Sequence, residues 1–153
     1  MDGTQLGKIA KRDSHVRWHF KGVFAANNLP NKLHVNNLAI VNCCNQNLPG
    51  QHWVAICQTS ENTMEFFDSF GQMPSVYNLQ GKLPKTQYIV YNPLTLQDIA
   101  SEVCGHYCLY FCYYKARGYS MAQLIEQNFS DDTLNNDIRV LSIINKLFKL
   151  QYM

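Results

Sequence analysis

Short apolar runs separated by Asn- and Pro-containing segments fill the first two thirds of the chain, and longer helical patterns fill the last third. Four runs have strand composition, because they are rich in β-branched and aromatic residues and are bounded by turn residues. They span residues 38–44, 52–59, 64–70 and 87–92. Pro93 ends the last run, since proline cannot continue a hydrogen-bonded ladder. The pattern predicts a central, mostly antiparallel sheet.

A segment that is apolar on nearly every face begins at Cys104 and runs to Arg117, with Gly118 after it. Basic residues in its last turn and a glycine beyond it are typical of a helix C-terminus. Because no polar face is left, the helix is predicted to be buried at the centre of the fold. With the strands before it, this helix predicts an α+β protein.

Three further helices are expected. Thr4 is a candidate cap for a short helix that ends at Lys11, and Ser120 with Gln123 forms a capping-box pattern. The last helix follows two aspartates and is amphipathic. Its predicted apolar stripe consists of Leu134, Ile138, Leu141, Ile144 and Phe148.

Length and charge restrict the choices further. A chain of 153 residues forms one domain of ordinary size, spanning 1–153, and 13 basic against 11 acidic residues give a net charge of only +2. No strong overall field therefore drives it onto nucleic acid or membranes. The first twenty residues lack the apolar core of a signal peptide, and no run of about twenty apolar residues follows. We expect a non-secreted protein without a membrane span, and a monomer.

The cysteines are bunched in a way that suits reduced thiols better than a disulfide framework. They are Cys43, Cys44, Cys57, Cys104, Cys108 and Cys112. No CxxC pair is present, and His106 lies on a different helix face from the cysteine stripe, so no metal site is expected.

The second and third runs are expected to form a hairpin that places His52 beside Asp68. In the register that we predict, His52 lies opposite Asp68, Val54 opposite Phe66 and Ile56 opposite Met64. A carboxylate beside an imidazole fixes its tautomer and stabilises the imidazolium. A hydrogen-bonded structural histidine at a strand start is the alternative.

Cys104 is the first residue of the predicted central helix, where unpaired N–H groups favour a thiolate. Cys108 and Cys112 lie deeper in the same helix and are interpreted as packing residues. Gly105 permits close approach of a substrate carbonyl, and the amide of Gln97, seven residues earlier, can donate to an oxyanion. Each residue alone has an ordinary structural explanation, but together they supply the components of acyl transfer by a thiol.

The motifs resemble those of the adenovirus protease (adenain) family, within the papain-related clan of ubiquitin-like-protein-specific peptidases. The similar segments are FKGVF from Phe20, LAIVN from Leu38, HWVA from His52, FFDSFG from Phe66, and the spacing from Gln97 to Cys104 and Gly105. They share the order His, acid, Gln, Cys, whereas in papain the cysteine comes before the histidine. The resemblance implies the adenain-like fold, with a mostly antiparallel sheet and the nucleophile at the start of the central helix.

Carried over residue by residue, the resemblance implies that Cys104 is the nucleophile, His52 the base and Asp68 its orienting acid. It also implies that Gln97 and the Cys104 N–H form the oxyanion hole, and that Trp53 lines the site. Aspartate stands where adenoviral enzymes often carry glutamate. Residues 86–96 contain no cysteine to which a disulfide-linked activating peptide could be joined.

The family further implies viral precursor polypeptides as substrates, cleaved after Gly in Gly-Gly or Gly-X motifs, in the host nucleus and the virion. An adomavirus or a polinton-type element would be a fitting source. The sequence requires no cofactor, but a viral peptide or DNA is a candidate activator. The basic residues that could contact DNA are Lys8, Lys11, Arg12, Arg17 and Lys21, which equally suit a solvated basic face.

Three other functions stay open from the sequence. A deconjugase would use the same chemistry to release ubiquitin or a ubiquitin-like modifier from its Gly-Gly tail. A thiol-dependent acetyltransferase would carry an acetyl group on Cys104, although no basic cluster for the phosphates of coenzyme A is evident. A structural protein that keeps the fold without activity is the fourth reading, against which the intact set of four residues argues.

Overall fold

A computed structural model describes residues 1–43 and 52–150 of the chain. Its α-helices are α1 (Gly3–Ala10), α2 (Val16–His19), α3 (Cys104–Lys115), α4 (Met121–Glu126) and α5 (Thr133–Leu147). Its strands are β1 (Phe20–Ala25), β2 (Leu38–Asn42), β3 (Trp53–Gln58), β4 (Thr63–Phe67) and β5 (Tyr88–Tyr91). Short 3-10 helices span Ala26–Asn28 and Pro74–Tyr77. Within the described ranges, no helix is long and apolar enough to cross a membrane.

The five strands form one mixed sheet in the order β1-β2-β3-β4-β5. The pairs β2–β3 and β3–β4 are antiparallel, whereas β1–β2 and β4–β5 are parallel. The prediction of a mostly antiparallel sheet is therefore wrong in this respect, although the α+β class is confirmed. Long connections lead into β2 and into β5, and long connections are what parallel pairing needs. The first strand, β1, was not anticipated from the sequence.

Both faces of the sheet are covered by apolar residues. The buried helix α3 packs against β3, and the core on that side includes Leu38, Ile40, Ala55 and Phe67. The core on the opposite face is built from Ala39, Val41, Val54, Ile56, Met64, Phe66 and Leu79. The alternation of these two sets along β2, β3 and β4 explains why the strands are apolar throughout.

The β3–β4 register differs from the predicted one by two residues. Ile56 pairs with Phe66 and Gln58 with Met64, so Ile56 does not face Met64. A shift by two keeps every side chain on its face, whereas a shift by one would reverse them all. The alternation of apolar residues therefore predicts which face each side chain occupies. It does not distinguish between two pairing registers that differ by two residues. The predicted strand 38–44 ends at Asn42, and its last residue lies outside the described residues.

Helix termini follow local capping chemistry. Asp2, and not Thr4, caps α1, since its side chain accepts from the N–H of Gln5 while the Gln5 amide accepts from the Asp2 N–H. The predicted capping box of Ser120 and Gln123 is confirmed at α4. Lys115 is the last residue of α3, so the helix ends slightly before the predicted segment does.

The predicted apolar stripe of α5 is buried at Ile144 and Phe148, but it is exposed in the first half of the helix. Leu134 and Ile138 are 64% and 67% exposed, whereas Asn136 and Asp137 are buried. These two polar residues are buried because each has partners: the Asn136 amide donates to backbone carbonyls, and Asp137 accepts from the Tyr107 hydroxyl at 2.8 Å. Hydrophobic periodicity fails here because a polar network, and not apolar packing, joins the first half of α5 to the fold.

Candidate active site

His52 immediately precedes β3 and is held from three sides. Its Nε2 lies 2.7 Å from Oδ1 of Asp68. Its ring stacks on Phe70 with 4.9 Å between centroids, and the Tyr77 ring centroid lies 5.2 Å away. The side chain is only 13% exposed. The imidazole is therefore fixed in orientation, with Nε2 assigned to the carboxylate and Nδ1 left for another partner.

Asp68 follows β4 and is completely buried. Oδ1 accepts from His52 Nε2 and from the Phe70 N–H at 3.2 Å. Oδ2 accepts from the Gln72 N–H at 3.1 Å and from the Tyr77 hydroxyl at 2.6 Å. A buried carboxylate is costly unless its lone pairs are used. Four donors satisfy this one and fix the oxygen that faces the imidazole.

Cys104 is the first residue of α3, and its side chain is hydrogen-bonded to His52. Burial lowers the pKa of His52, but the hydrogen bonds and charges of Asp68 and Cys104 outweigh it and raise that pKa to about 9. At neutral pH the ring is therefore an imidazolium. A helix N-terminus and an adjacent imidazolium both stabilise a thiolate. The structure thus joins Asp68, His52 and Cys104 in one chain of interactions.

The neighbouring thiols have different surroundings. Cys108 and Cys112 lie one and two turns further along α3, and burial raises the pKa of both well above the ordinary thiol value. Burial likewise raises the pKa of Cys57 to about 12. These thiols stay protonated at neutral pH, which limits their reactivity.

Gln97 lies between β5 and α3 and is almost completely buried. Its Oε1 accepts from the Ser69 hydroxyl at 2.6 Å, and its Nε2 donates to the Ser101 carbonyl and hydroxyl at 3.0 and 3.1 Å. The backbone N–H of Gln97 also donates to the Ser69 carbonyl. Ser69 therefore fixes which way the amide faces, with its nitrogen directed towards the segment that leads into α3.

Gly105 faces a helix. A Cβ atom added at Gly105 would lie 3.1 Å from a methyl carbon of Leu6, so the glycine lets α1 approach α3 closely. The predicted role of Gly105 in admitting a substrate carbonyl stays a prediction.

Trp53 is buried beside the site and lines a cleft. Its Nε1 donates to the Met1 carbonyl at 3.3 Å, and a Cβ added at Gly3 would lie 3.3 Å from its ring. The cleft, with a volume of about 600 Å³, lies between α1 and β1. A second cleft, of about 710 Å³, is lined by Phe70, Tyr77 and Gln97 among others. The first cleft is thus lined by Trp53, which follows His52 in sequence, and the second by Phe70 and Tyr77, whose rings contact His52.

Several residues that support the site were not identified from the sequence. They are Ser69, Phe70, Tyr77, Asn92 and Ser101. Ser69 and Phe70 stand directly after Asp68, and this adjacency was the available signal. Tyr77 ends a short 3-10 helix and Ser101 lies in a loop, and only the tertiary structure shows that they contact the acid and the amide.

The predicted DNA-contacting residues are all exposed or partly exposed. Lys8 and Lys11 line the cleft between α1 and β1, whereas Arg12, Arg17 and Lys21 are absent from its lining. Across residues 1–43 and 52–150, no group of three or more His, Cys, Asp or Glu side chains could hold a metal ion.

Comparisons with known proteins give no family assignment. No family model matches the chain, and no curated protein matches it. Among solved structures, the selenomethionine form of the ASFV pS273R protease is 21% identical with a TM-score of 0.43, and the same protease in a second structure is 20% identical with a TM-score of 0.42. Each match covers 68% of this chain but only 43% and 41% of the other.

A central domain of the uncharacterized Lpg1148 protein from Legionella pneumophila is 14% identical with a TM-score of 0.42, over 85% of this chain and 86% of that one. The chain therefore spans about two fifths of the ASFV protease structures and most of the Legionella domain.

Proposed function

We propose that this chain is a cysteine peptidase in which Cys104 is the nucleophile. The observation that carries the proposal is the single imidazole of His52, which is hydrogen-bonded to a buried carboxylate on one side and to a thiol at a helix N-terminus on the other. Nucleophile, base and orienting acid in hydrogen-bond contact are the arrangement that acyl transfer needs.

The reaction begins from a thiolate of Cys104 beside the imidazolium of His52. The sulfur attacks the substrate carbonyl carbon, and the carbonyl oxygen becomes an oxyanion. Collapse of this intermediate breaks the C–N bond while Nδ1 of His52 gives its proton to the leaving amine. Water then attacks the thioester, Nδ1 takes a proton from that water, and the C–S bond breaks to release the acid and restore the thiolate.

The oxyanion would be stabilised by the Cys104 backbone N–H and by the Gln97 amide. An amide donor aimed at this position typically contributes about 3 kcal/mol to the transition state. The Gln97 nitrogen is directed towards the segment before α3, which supports this role. Because its hydrogen bonds go to Ser101, substrate binding must exchange one of them for the oxyanion.

The resemblance to the adenovirus protease family supplies the finer part of the proposal. We propose that the substrates are viral precursor polypeptides, cleaved after glycine in the host nucleus and the virion. A deconjugase acting on Gly-Gly tails would use the same residues. The two differ in the substrate and not in the chemistry of the site.

Hydrolysis of quenched-fluorescence peptides centred on Gly-Gly tests the proposal, with ubiquitin–aminocoumarin and acetyl-CoA plus an acceptor peptide in parallel reactions. Peptide cleavage that disappears in Cys104→Ala supports the peptidase. Faster turnover of the ubiquitin conjugate would favour the deconjugase. Transfer of acetyl without hydrolysis would replace the proposal with an acetyltransferase.

A further inference from the structure

The cleft between α1 and β1 ends at Trp53, the residue that follows His52 in the chain. Its volume of about 600 Å³ is in the range of pockets that hold a small ligand or a short peptide segment. Trp53, the residue after His52, lines it, and the start of α1 at Gly3 packs against the Trp53 ring. A chain lying in this cleft would therefore contact Trp53 at one end, one residue along the chain from His52.

The side chains that line the cleft carry charge of one sign. Lys8 and Lys11 lie on the α1 side, and the lining contains no acidic residue. The remaining lining is apolar or uncharged, with Phe20, Val23 and Phe24 on the β1 side. Such a surface is complementary to an acidic peptide with apolar neighbours, since a nucleic acid would present phosphates and no apolar side chains.

The β1 side of the cleft also offers backbone groups. β1 is an edge strand that pairs only with β2 among the strands in the described part of the chain. Residues 22–25 of this strand line the cleft. An edge strand leaves backbone N–H and C=O groups that an extended peptide in the cleft can hydrogen-bond, with neighbouring side chains giving selectivity.

The spacing of the lysines predicts where the acidic residues would lie. Lys8 and Lys11 are five and eight residues after Gly3, which places them roughly 7.5 and 12 Å along α1 from the Trp53 end. An extended peptide advances about 3.3 Å per residue. The lysines would therefore face positions about two and four residues away from the residue that contacts Trp53.

We propose that the α1–β1 cleft binds the substrate chain on one side of the cleaved bond, in extended conformation, and selects acidic residues about two to four positions from Trp53. This inference rests on the proposed peptidase function, because it names the substrate class of that site. The basic residues Lys8 and Lys11 thereby act in substrate selection.

Binding to the Cys104→Ala variant measures this selection without hydrolysis. Fluorescein-labelled peptides centred on Gly-Gly carry Glu or its neutral counterpart Gln at one position at a time, up to four residues on either side. Fluorescence anisotropy gives the ratio of the two dissociation constants at each position. On one side of Gly-Gly we expect the Glu peptides to bind about fivefold more tightly than the Gln peptides, which is the effect expected of one or two solvent-exposed charge pairs. High salt should reduce this ratio, because it screens exposed charges.

Charge reversal assigns the effect to the lysines. In Lys8→Glu with Lys11→Glu the ratio should fall to one or below. Lys82→Glu is the matched control, because its loop packs on the opposite face of the sheet through Leu79, and it should keep the ratio. A ratio of one at every position, a ratio that survives the double reversal, or no binding of any peptide up to its solubility limit would overturn the proposal.

A labelled DNA duplex is the competing ligand. If the double reversal abolishes duplex binding and the peptides show no preference for Glu, the lysines belong to a DNA site and the proposal fails. Failure of the proposed function is distinguishable, because wild-type protein would then bind the Glu peptides selectively but leave them uncleaved.

Discussion

Replacing Asp68 with asparagine keeps the size of the side chain but removes the charge that faces His52. The two side chains are 2.7 Å apart, and the pKa of His52 is raised to about 9 although burial lowers it. An asparagine at this position could also accept only part of the four hydrogen bonds that the carboxylate accepts, because its amide nitrogen is a donor. We therefore expect the variant to hold its imidazolium less tightly and to be less stable.

The size of the effect follows from the pKa. A rise from 6.5 to about 9 corresponds to roughly 3 kcal/mol in favour of the imidazolium, which is what the Asp68 and Cys104 interactions contribute after the opposing effect of burial. A hydrogen bond to a charged group contributes about 1.5–3 kcal/mol, so loss of the Asp68 charge should lower the pKa of His52 by roughly one to two units.

The sign of the pH dependence is fixed by this raised pKa. His52 gains its proton affinity on folding, so its stabilisation is fully present below pH 6.5 and is lost as the pH rises through about 9. Peptidase activity needs the imidazolium to protonate the leaving amine. The alkaline limb of kcat/KM should therefore lie near pH 9 in wild type and roughly one to two units lower in Asp68→Asn.

The assay is the pH profile of kcat/KM together with an NMR titration of the His52 ring. Tyr77→Phe is the matched control, because it removes one of the hydrogen bonds to Asp68, at 2.6 Å, and keeps the charge. Its alkaline limb should not move to lower pH. A folded Asp68→Asn variant, judged by thermal unfolding, whose alkaline limb coincides with that of wild type would refute the role of the carboxylate.

Three further predictions concern two residues near the site and one ion pair beyond the C-terminus of α3. Ser69→Ala should lower kcat roughly tenfold or more, because the Ser69 hydroxyl orients the Gln97 amide. The rate at which iodoacetamide alkylates Cys104 should not change, since alkylation needs no oxyanion hole. If Ser69 acts through Gln97, adding Ser69→Ala to Gln97→Ala should lower kcat no further. Cys108 should resist iodoacetamide in folded protein at pH 7, because burial raises its pKa; rapid labelling mapped by mass spectrometry would contradict this. Arg117→Ala should cost about 1–2 kcal/mol in urea unfolding, because it removes the ion pair with Asp13 at 2.8 Å and the contact of the guanidinium with the Tyr113 ring. Burial raises the pKa of Asp13, but the hydrogen bonds from Arg117 and from backbone donors lower it on balance. The loss should therefore shrink when the pH falls far enough to protonate Asp13, and an equal loss at neutral and at acid pH would count against the ion pair.

The strands and their faces could be predicted from the sequence because apolar alternation is a local property. Val54, Ile56, Met64 and Phe66 share one face, as expected, and the opposite set faces α3. The predicted β3–β4 register was wrong by two residues, because a shift of two leaves every side chain on the same face and the alternation cannot detect it. Strand direction at the sheet edges was missed as well, because it depends on how long loops return the chain.

The candidate site likewise contains one part that the sequence predicts and one part that it does not. Proximity of His52 to Asp68 followed from the hairpin, even though the exact pairing was different, because the acid lies just beyond the end of β4. The supporting contacts of Ser69 and Tyr77 could not be predicted. They depend on tertiary structure, and hydroxyl residues outside the strands and long helices carry no periodic signal.

The α5 helix shows where a sequence pattern misleads. Leu134 and Ile138 have helical spacing, yet they are exposed, while Asn136 and Asp137 are buried. Hydrogen bonds from Asn136 to Leu96 and from Tyr107 to Asp137 decide which face is inside. A polar side chain is buried when its partners are in place, and those partners come from other parts of the chain.

Trapping the acyl-enzyme tests the central claim most directly. Wild-type protein is mixed with a Leu-Arg-Gly-Gly ester, quenched in acid and mapped by mass spectrometry, and Cys104→Ala is treated identically. The proposed mechanism predicts an acyl mass on Cys104 that forms and decays during turnover, and neither adduct nor turnover in the variant. An acyl group on another residue, or turnover that persists in Cys104→Ala, would contradict it.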